Sequence, residues 1–358
     1  MVEKRNILIV GADLTSNGGI ASVIKAYHSA LLKGNYCINL IFIRTNYYKD
    51  KGKGREVLIF IKSFIRFLYL ILFSDIELIH VHSSAYISFY RKSFFVLMAR
   101  ILNKKIIMHL HSSNFYDFFL NASWYKSKVL SSCNCIVVLC SDWEKSLKAR
   151  YHGLYIRKIE NPSPAIIYER DNLAHFGQEI IILFVGFLIE NKGIKDLLLI
   201  AEQLKERNTN GVRIHIAGKG EMESYVITTI KEKELQDYVF FRGWIDKELK
   251  AEVYREADIF ILPSYKEGMP ISILEAMSYG LPVLSTKISG IPDLIEDGIN
   301  GYLDTPGDIK GMYKHLEQLI NDPEERKCMG KKNLERIKLN SEELIFSQVA
   351  DLYNELMQ

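Results

Sequence analysis

Two glutamates eight residues apart, Glu267 and Glu275, frame the run Pro263-Ser264-Tyr265-Lys266-Glu267-Gly268-Met269-Pro270-Ile271, which continues through Ser272 to Gly280. A carboxylate can accept two hydroxyl hydrogen bonds, so such a pair suits the vicinal diols of a sugar or a ribose. Pro270 suits the first turn of a helix, where its missing N–H would have been unpaired anyway. Around Pro270, the residues Gly268, Met269, Ile271 and Ser272 would then present free amides at a helix start, an anion site that fits a diphosphate. As bare chemistry the alternative is a solvated loop acid and an acid near a helix cap.

The first half carries two more patterns. Asn17-Gly18-Gly19-Ile20 follows the first apolar run, either as a tight turn or as a backbone loop that approaches a phosphate. It is not a GxGxxG, which disfavours nicotinamide binding. His80-x-His82 and His109-x-His111 lie at the ends of two successive apolar runs, and strand alternation puts His109 and His111 on one side with His111 at the carboxyl end. Paired HxH motifs invite a metal reading, but no further His/Asp ligand set follows in the order a metal-dependent barrel needs, so no metal is expected. His80 and His109 are expected to be hydrogen-bonded structural histidines, and His82 to border an acceptor cleft.

Strand-like runs at Ile7-Val10, Ile38-Ile43, Leu78-Val81, Ile106-Leu110 and Ile136-Leu139 alternate with helix-like segments. The alternation restarts at Ile180-Val185 and continues through Val212-Ile216, Val239-Phe241, Ile259-Leu262 and Val283-Ser285. Continuous apolar runs of this length, spaced by helices, indicate parallel sheets covered on both faces. Between the two series lie Asn161-Pro162-Ser163-Pro164 and the polar stretch Glu169 to Gln178, read as a linker. The expectation is an α/β chain of two doubly wound, Rossmann-like domains facing across a cleft, residues 1–165 and 166–340. The last helix-like segment, within 341–358, can pack on either domain, including back onto the first.

Glu267-x7-Glu275, set in Pro263-Ser264…Glu267-Gly268-x-Pro270…Leu274-Glu275-Ala276-Met277…Gly280-x-Pro282-Val283, resembles the donor motif of the family 4 retaining glycosyltransferases of the GT-B type. The sequences Val185-Gly186-Phe187-Leu188…Lys192-Gly193, Ile216-Ala217-Gly218-Lys219-Gly220 and Gly290-Ile291-Pro292-Asp293…Asp297-Gly298…Asn300-Gly301 are similar to that family in order and spacing, with Asp293 where Glu is usual. The resemblance implies that Glu275 holds ribose hydroxyls, Glu267 contacts the transferred sugar, and Lys192 neutralises the departing diphosphate. It implies that Gly186, Gly218, Gly243 and Trp244 line the donor pocket, that Gly18 and Gly19 approach the donor phosphate, and that His111 donates a hydrogen bond near the sugar and phosphate. Phe187 departs from the pattern, since many relatives carry an Arg there; Lys266 or Lys219 could compensate.

Composition sets the outer bounds. With 358 residues, 48% of them hydrophobic and 25% charged, the chain can bury a sizeable core. Five cysteines without a CxxC pair argue against a disulfide framework and for a reducing compartment. The apolar run at the N-terminus, Ile7 to Val10, is too short for a signal-peptide core, so cytoplasmic residence is expected. Net charge is +3 overall, yet residues up to Arg170 hold 24 Lys and Arg against 11 Asp and Glu, and the remainder 22 against 32. A first half at +13 beside a second at −10 suggests an anionic partner for the first: a membrane surface, a lipid-linked phosphate or a nucleic acid. No nucleic-acid-reading motif accompanies the scattered charges, and that partner is set aside. The longest apolar stretch, Val57 to Phe73, carries Lys62 and Arg66 and is not expected to span a bilayer; it is either a buried helix or one lying on a membrane.

These readings converge on a retaining, metal-independent sugar transferase without a cofactor, retention being inherited from the resemblance. It would use a nucleotide diphosphate sugar, UDP-linked in preference to GDP-linked, and an acceptor hydroxyl on a saccharide or lipid-linked saccharide at the inner membrane face. Two alternatives remain at this level: a nucleotide-sugar epimerase on the same fold, or a non-catalytic nucleotide-sugar-binding subunit. Lys192→Ala and Glu275→Ala are expected to lower turnover by orders of magnitude while leaving the circular-dichroism spectrum intact; normal turnover in either would remove these residues from the site.

Overall fold

The protein is described from a computed structural model that covers residues 4–16, 18–45, 53–121, 123–163 and 179–358. Asn17, and the linker from Pro164 to Gln178, lie outside the described residues. The chain divides into two units, Met1–Pro162 with Asn340–Gln358, and Ser163–Leu339.

In the first unit, β1 (Arg5–Gly11), β2 (Ile38–Arg44), β3 (Ile76–Ser83), β4 (Lys105–Leu110), β5 (Cys135–Val138) and β6 (Ile156–Lys158) form a parallel sheet in the order β2-β1-β3-β4-β5-β6. The centres of β1, β3 and β4 are wholly buried, as expected for strands whose apolar runs do not alternate. In the second unit, β7 (Ile180–Val185), β8 (Val212–Ala217), β9 (Val239–Gly243), β10 (Ile259–Leu262), β11 (Val283–Thr286) and β12 (Gly301–Asp304) run parallel in the order β12-β11-β10-β7-β8-β9. Ten of these strands coincide with the expected runs. The sequence reading lacked β6 and β12, at three and four residues too short for a periodicity signal, and each is an edge strand placed by its neighbour.

In each sheet the strand order reverses beside the unit's first strand: between β1 and β3, and between β7 and β10. The connecting loops on either side of such a reversal leave the sheet in opposite directions and open a crevice at the carboxyl edge. The loops after β1, β7 and β10 therefore occupy the positions where an open α/β sheet binds ligands.

The last helix, Glu342–Leu356, packs on Gly19–Lys33 and completes the first unit. Its buried positions Ile345, Phe346, Val349, Leu352 and Tyr353 follow a helical period. Phe346 packs against Tyr27 and edge-on against Tyr36, and the Tyr353 hydroxyl meets His80 Nδ1 at 2.7 Å.

That contact begins a column of four imidazoles across β3 and the end of β4. His80 and His82 stack at 4.3 Å between centroids, His82 and His111 at 5.2 Å, and His109 lies 4.0 Å from His111. Two expectations are corrected. His109 is wholly buried, but neither ring nitrogen has a hydrogen-bond partner among the described residues, because the ring is held face to face with other imidazoles. His82 is wholly buried as well, and so does not border any opening. His80, His82 and His109 are all buried, and each offers a ring nitrogen within 4.8 Å of the others.

Burial lowers the pKa of all four, to about 3 for His80 and His111. The folded state therefore holds them neutral, while the unfolded chain takes up protons near the ordinary value of 6.5. Between 6.5 and about 3 the unfolded state binds more protons, so stability falls as pH falls through this window. Unfolding free energies from urea titrations taken from pH 7 down to 5 should drop with a limiting slope of roughly 1.4 kcal/mol per pH unit per histidine. A slope below that of a single proton would show that the column is not buried neutral.

Candidate donor site

Three loops of the second unit meet through glycines that tolerate no side chain. Gly193, at φ +70°, lies where a Cβ would come within 1.9 Å of the Pro263 carbonyl oxygen. A Cβ on Gly218 would sit 1.9 Å from the Gly186 carbonyl oxygen, and one on Gly220 would sit 2.2 Å from that of Leu188. The turns after β7, β8 and β10 are thereby pressed backbone to backbone.

The approach brings Lys192, on a single helical turn at 190–192, against the loop after β10. Its Nζ lies 2.5 Å from Glu267 Oε1, which also accepts the Ser264 hydroxyl at 2.9 Å. Glu267 is 4% exposed and Ser264 fully buried, so this pair is a built feature and not a surface ion pair. Tyr265 adds two stitches: its N–H donates to the Asn191 carbonyl at 2.8 Å, and its hydroxyl donates to Asp196 at 2.8 Å. Burial, followed by the bond to Asp196, pushes the Tyr265 hydroxyl up to about 12.

The helix that follows is Ile271–Ser278. Pro270 stands at its N-cap and not inside the first turn as expected, because its ψ of 123° is still extended. No side chain caps this end, and the amides of Gly268, Ile271 and Ser272 donate to no backbone carbonyl among the described residues. Met269 is 3% exposed and anchors the loop beneath them. Glu275 lies one turn in: Lys250 Nζ meets its Oε1 at 2.5 Å and the Tyr254 hydroxyl donates to its Oε2 at 2.9 Å. A carboxylate has about four lone-pair sites, so two stay open for ligand hydroxyls once Lys250 and Tyr254 are served. Lys250 and Tyr254 went unnoticed in the sequence; they lie on the helix Lys247–Glu256, and no local motif ties them to an acid some twenty positions on.

Gly243, at φ +66°, turns the chain after β9 into Trp244, which stays 43% exposed. Phe187 stacks on Trp244 with centroids 6.3 Å apart, and Lys219 Nζ lies 4.5 Å from the centre of the same indole. The residue that breaks the expected pattern thus belongs to an aromatic shelf bearing its own cation.

The remaining motif residues support the sheet. Asn300 and Asn333 are buried and bonded to each other at 2.7 Å, and Asn333 Nδ2 also donates to the carbonyls of Leu281 and Asn300. A Cβ on Gly301 would fall 2.2 Å from the Val283 carbonyl oxygen. These contacts hold β11 and β12 in place, while Gly290 reaches the loop after β10, its N–H donating to the Gly268 carbonyl at 2.9 Å.

Residues 167–336 match the family model described as glycosyl transferases group 1. The match spans just under half of the chain. An uncharacterized glycosyltransferase of Haemophilus influenzae is 32% identical over 224 residues, 62% of this chain and 61% of that protein. The amylovoran biosynthesis glycosyltransferase AmsK of Erwinia amylovora is 36% identical over 186 residues, 49% of this chain and 45% of that one. In each case the match spans less than two thirds of the relative's own length. Among solved structures, the sucrose-phosphate synthase of Thermosynechococcus elongatus superposes with a TM-score of 0.81 at 19% identity, covering 99% of each chain. HepE of Anabaena in complex with UDP and glucose gives 0.74 at 15% identity, covering 98% of this chain and 100% of that one. The fold is GT-B, two Rossmann-like units.

Of the remaining residues the group 1 resemblance singled out, Gly18, Gly19 and His111 belong to the first unit. Gly18 caps the helix Gly19–Lys33 just past β1, and His111 follows β4 at the carboxyl edge of the same sheet. His111 Nε2 lies 3.0 Å from His82 Nδ1. One of the two must donate, and the surroundings decide which. His82 Nε2 is buried without a partner, and an orphaned N–H there costs more than an unused lone pair. His82 therefore keeps its proton on Nδ1 and donates it, leaving His111 with its own proton on Nδ1, which becomes the donor. Long-range 15N–1H spectra at neutral pH should show His111 protonated at Nδ1, with mixed tautomers in His82→Phe; a wild-type His111 protonated at Nε2 would reverse the assignment.

Proposed function

We propose that the protein transfers a sugar from a nucleotide diphosphate sugar, UDP-linked in preference, to an acceptor hydroxyl, with retention of anomeric configuration. The observation that carries this reading is the buried Lys192–Glu267–Ser264 group beside an uncapped helix start, with Glu275 one turn further, all at the strand-order reversal between β7 and β10.

Charge and hydrogen-bonding capacity fit the parts of such a donor. The Lys192 ammonium has three protons, so it can keep Glu267 and still donate to a phosphate oxygen. Together with the amides of Gly268 and Ile271 it offsets the negative charge that builds on the diphosphate as the glycosidic bond breaks. Glu267, oriented by Lys192 and Ser264, has its second oxygen for hydroxyls of the transferred sugar. Glu275 receives the ribose diol, Gly186 and Gly218 give the backbone close approach, and Gly243 with Trp244 borders the base. With cationic and amide groups of its own, the site calls for no metal ion in this reading. From the first unit, Gly18 and Gly19 serve the donor phosphate, and His111 offers an Nδ1 hydrogen bond near sugar and phosphate. The acceptor oxygen attacks on the face the diphosphate leaves, and the departing phosphate takes the acceptor proton.

Relatives named for amylovoran, colanic acid and capsular polysaccharide synthesis support a role in cell-surface polysaccharide assembly with a lipid-linked saccharide as acceptor, on the cytoplasmic side of the membrane. Solved neighbours in complex with UDP or UDP-glucose support the choice of donor. A thermal-shift screen of UDP- and GDP-sugars tests the reading: a bound donor at 100 times its dissociation constant stabilises by about 2.7 kcal/mol. The expected result is stabilisation by one UDP-sugar, lost in Glu275→Ala, with UDP release that requires an acceptor. No stabilisation by any nucleotide sugar would overturn the site, and epimer formation from donor alone would make the protein an isomerase.

A further inference from the structure

The helix Lys53–Phe73 turns only part of its surface inward. Ser63, Phe67 and Ile71 are buried, while Leu58, Ile61, Ile65, Tyr69 and Leu72, spaced three and four apart, are 45 to 61% exposed. On the neighbouring helix, Ile87–Ile101, a second stripe of Ile87, Tyr90 and Phe94 is 79, 44 and 55% exposed. The two helices lie side by side, Phe60 on the inward side of the first, with the buried Phe67, packing edge-on against Phe94 and Phe95 on the second. Two such stripes on neighbouring helices are beyond what scattered surface residues account for, and among the described residues nothing covers them.

Past Glu56 in the first turn of the first helix, the charges along this face are of one sign. Residues 57–73 and 87–101 contain no Asp or Glu, and Lys62 and Arg66 are exposed along one edge of the apolar stripe. Lys104 and Lys105 follow directly on the second helix. No helix among the described residues is long and apolar enough to cross a bilayer. A second copy of the chain would be a poor cover: pairing this face with itself would bring Lys62 and Arg66 of both copies into an apolar contact, with only Glu56 in the helix's first turn to meet them.

We propose that this face lies on the surface of an anionic lipid bilayer, the apolar stripes entering the headgroup boundary while Lys62 and Arg66 extend to the lipid phosphates. The pairing resolves the two readings left open for Val57 to Phe73: one side of the helix is core and the other is interfacial. The inference does not depend on the donor site, because membrane binding is read without donor or acceptor.

Flotation of the full chain with vesicles tests it. Vesicles of phosphatidylethanolamine with a third phosphatidylglycerol should carry the protein up the gradient, and vesicles of phosphatidylcholine alone should carry at least tenfold less. The K62A/R66A variant should bind the anionic vesicles more weakly by about fivefold for each charge removed, and added salt should weaken the wild type likewise. Ile65→Asp combined with Tyr69→Asp should abolish flotation while the thermal midpoint holds, both positions being exposed. Equal binding to the neutral vesicles, or flotation of both variants at the wild-type level, would overturn the proposal. So would a lipid-free dimer in analytical ultracentrifugation that the double aspartate variant dissolves, which would make a second copy the occupant.

Discussion

Lys192 and Glu267 meet at 2.5 Å because Gly193 has no side chain to keep the Pro263 carbonyl away. The contact joins residues 75 apart in sequence, and it forms only when the turn after β7 lies against the loop after β10. Parallel pairing of β7 with β10 brings the two loops to the same edge of the sheet, and the left-handed backbone at Gly193 removes the last obstruction. The other supports have the same character. Asn191 and Asp196 hold Tyr265, Thr286 donates to the Ser264 carbonyl, and Ser285 donates to that of Leu262. Each bond restrains a loop whose acid must keep its direction while nearly buried.

Two carboxylates in one small region would repel each other and resist desolvation if left alone. Each is instead given a lysine and a hydroxyl: Lys192 and Ser264 for Glu267, Lys250 and Tyr254 for Glu275. The arrangement orients both carboxylates as acceptors and leaves lone pairs over, which is what recognition of several hydroxyls demands. It also keeps cationic protons close to the uncapped helix start. Positive charge from the helix dipole and from Lys192 therefore falls on the same loop after β10, the basis of the proposed diphosphate site.

The first unit is built on a different compromise. Its central strands bury three imidazoles, with His111 stacked at the end of β4, and only part of their hydrogen-bonding capacity is used. What the column secures is the direction of His111, fixed from behind by His82 and, through His80, tied to Tyr353 on the closing helix. On the outer side, the helix Lys53–Phe73 carries more apolar surface than the core can take. Core and exterior of this unit thus answer to different surroundings.

The order of ten strands, the parallel doubly wound class and the Glu267-x7-Glu275 spacing were legible because they are local: apolar runs of a given length, a turn residue, a fixed interval along one loop and helix. The same holds for Gly218 and Gly243, whose backbone demands are set by one residue. Partners were not legible. That Lys250 and Tyr254 belong to Glu275, that Phe187 joins Trp244 and Lys219 in a shelf, and that His82 stands behind His111 all depend on contacts between distant segments. Edge strands β6 and β12 are too short to announce themselves and exist through pairing with β5 and β11. By itself the sequence determined which residues have the chemistry to hold a diphosphate and its sugars, since side-chain type and interval are fixed covalently. The tertiary structure alone decided which are oriented and which are buried, and which face of Lys53–Phe73 meets solvent, because those follow from packing against elements far along the chain.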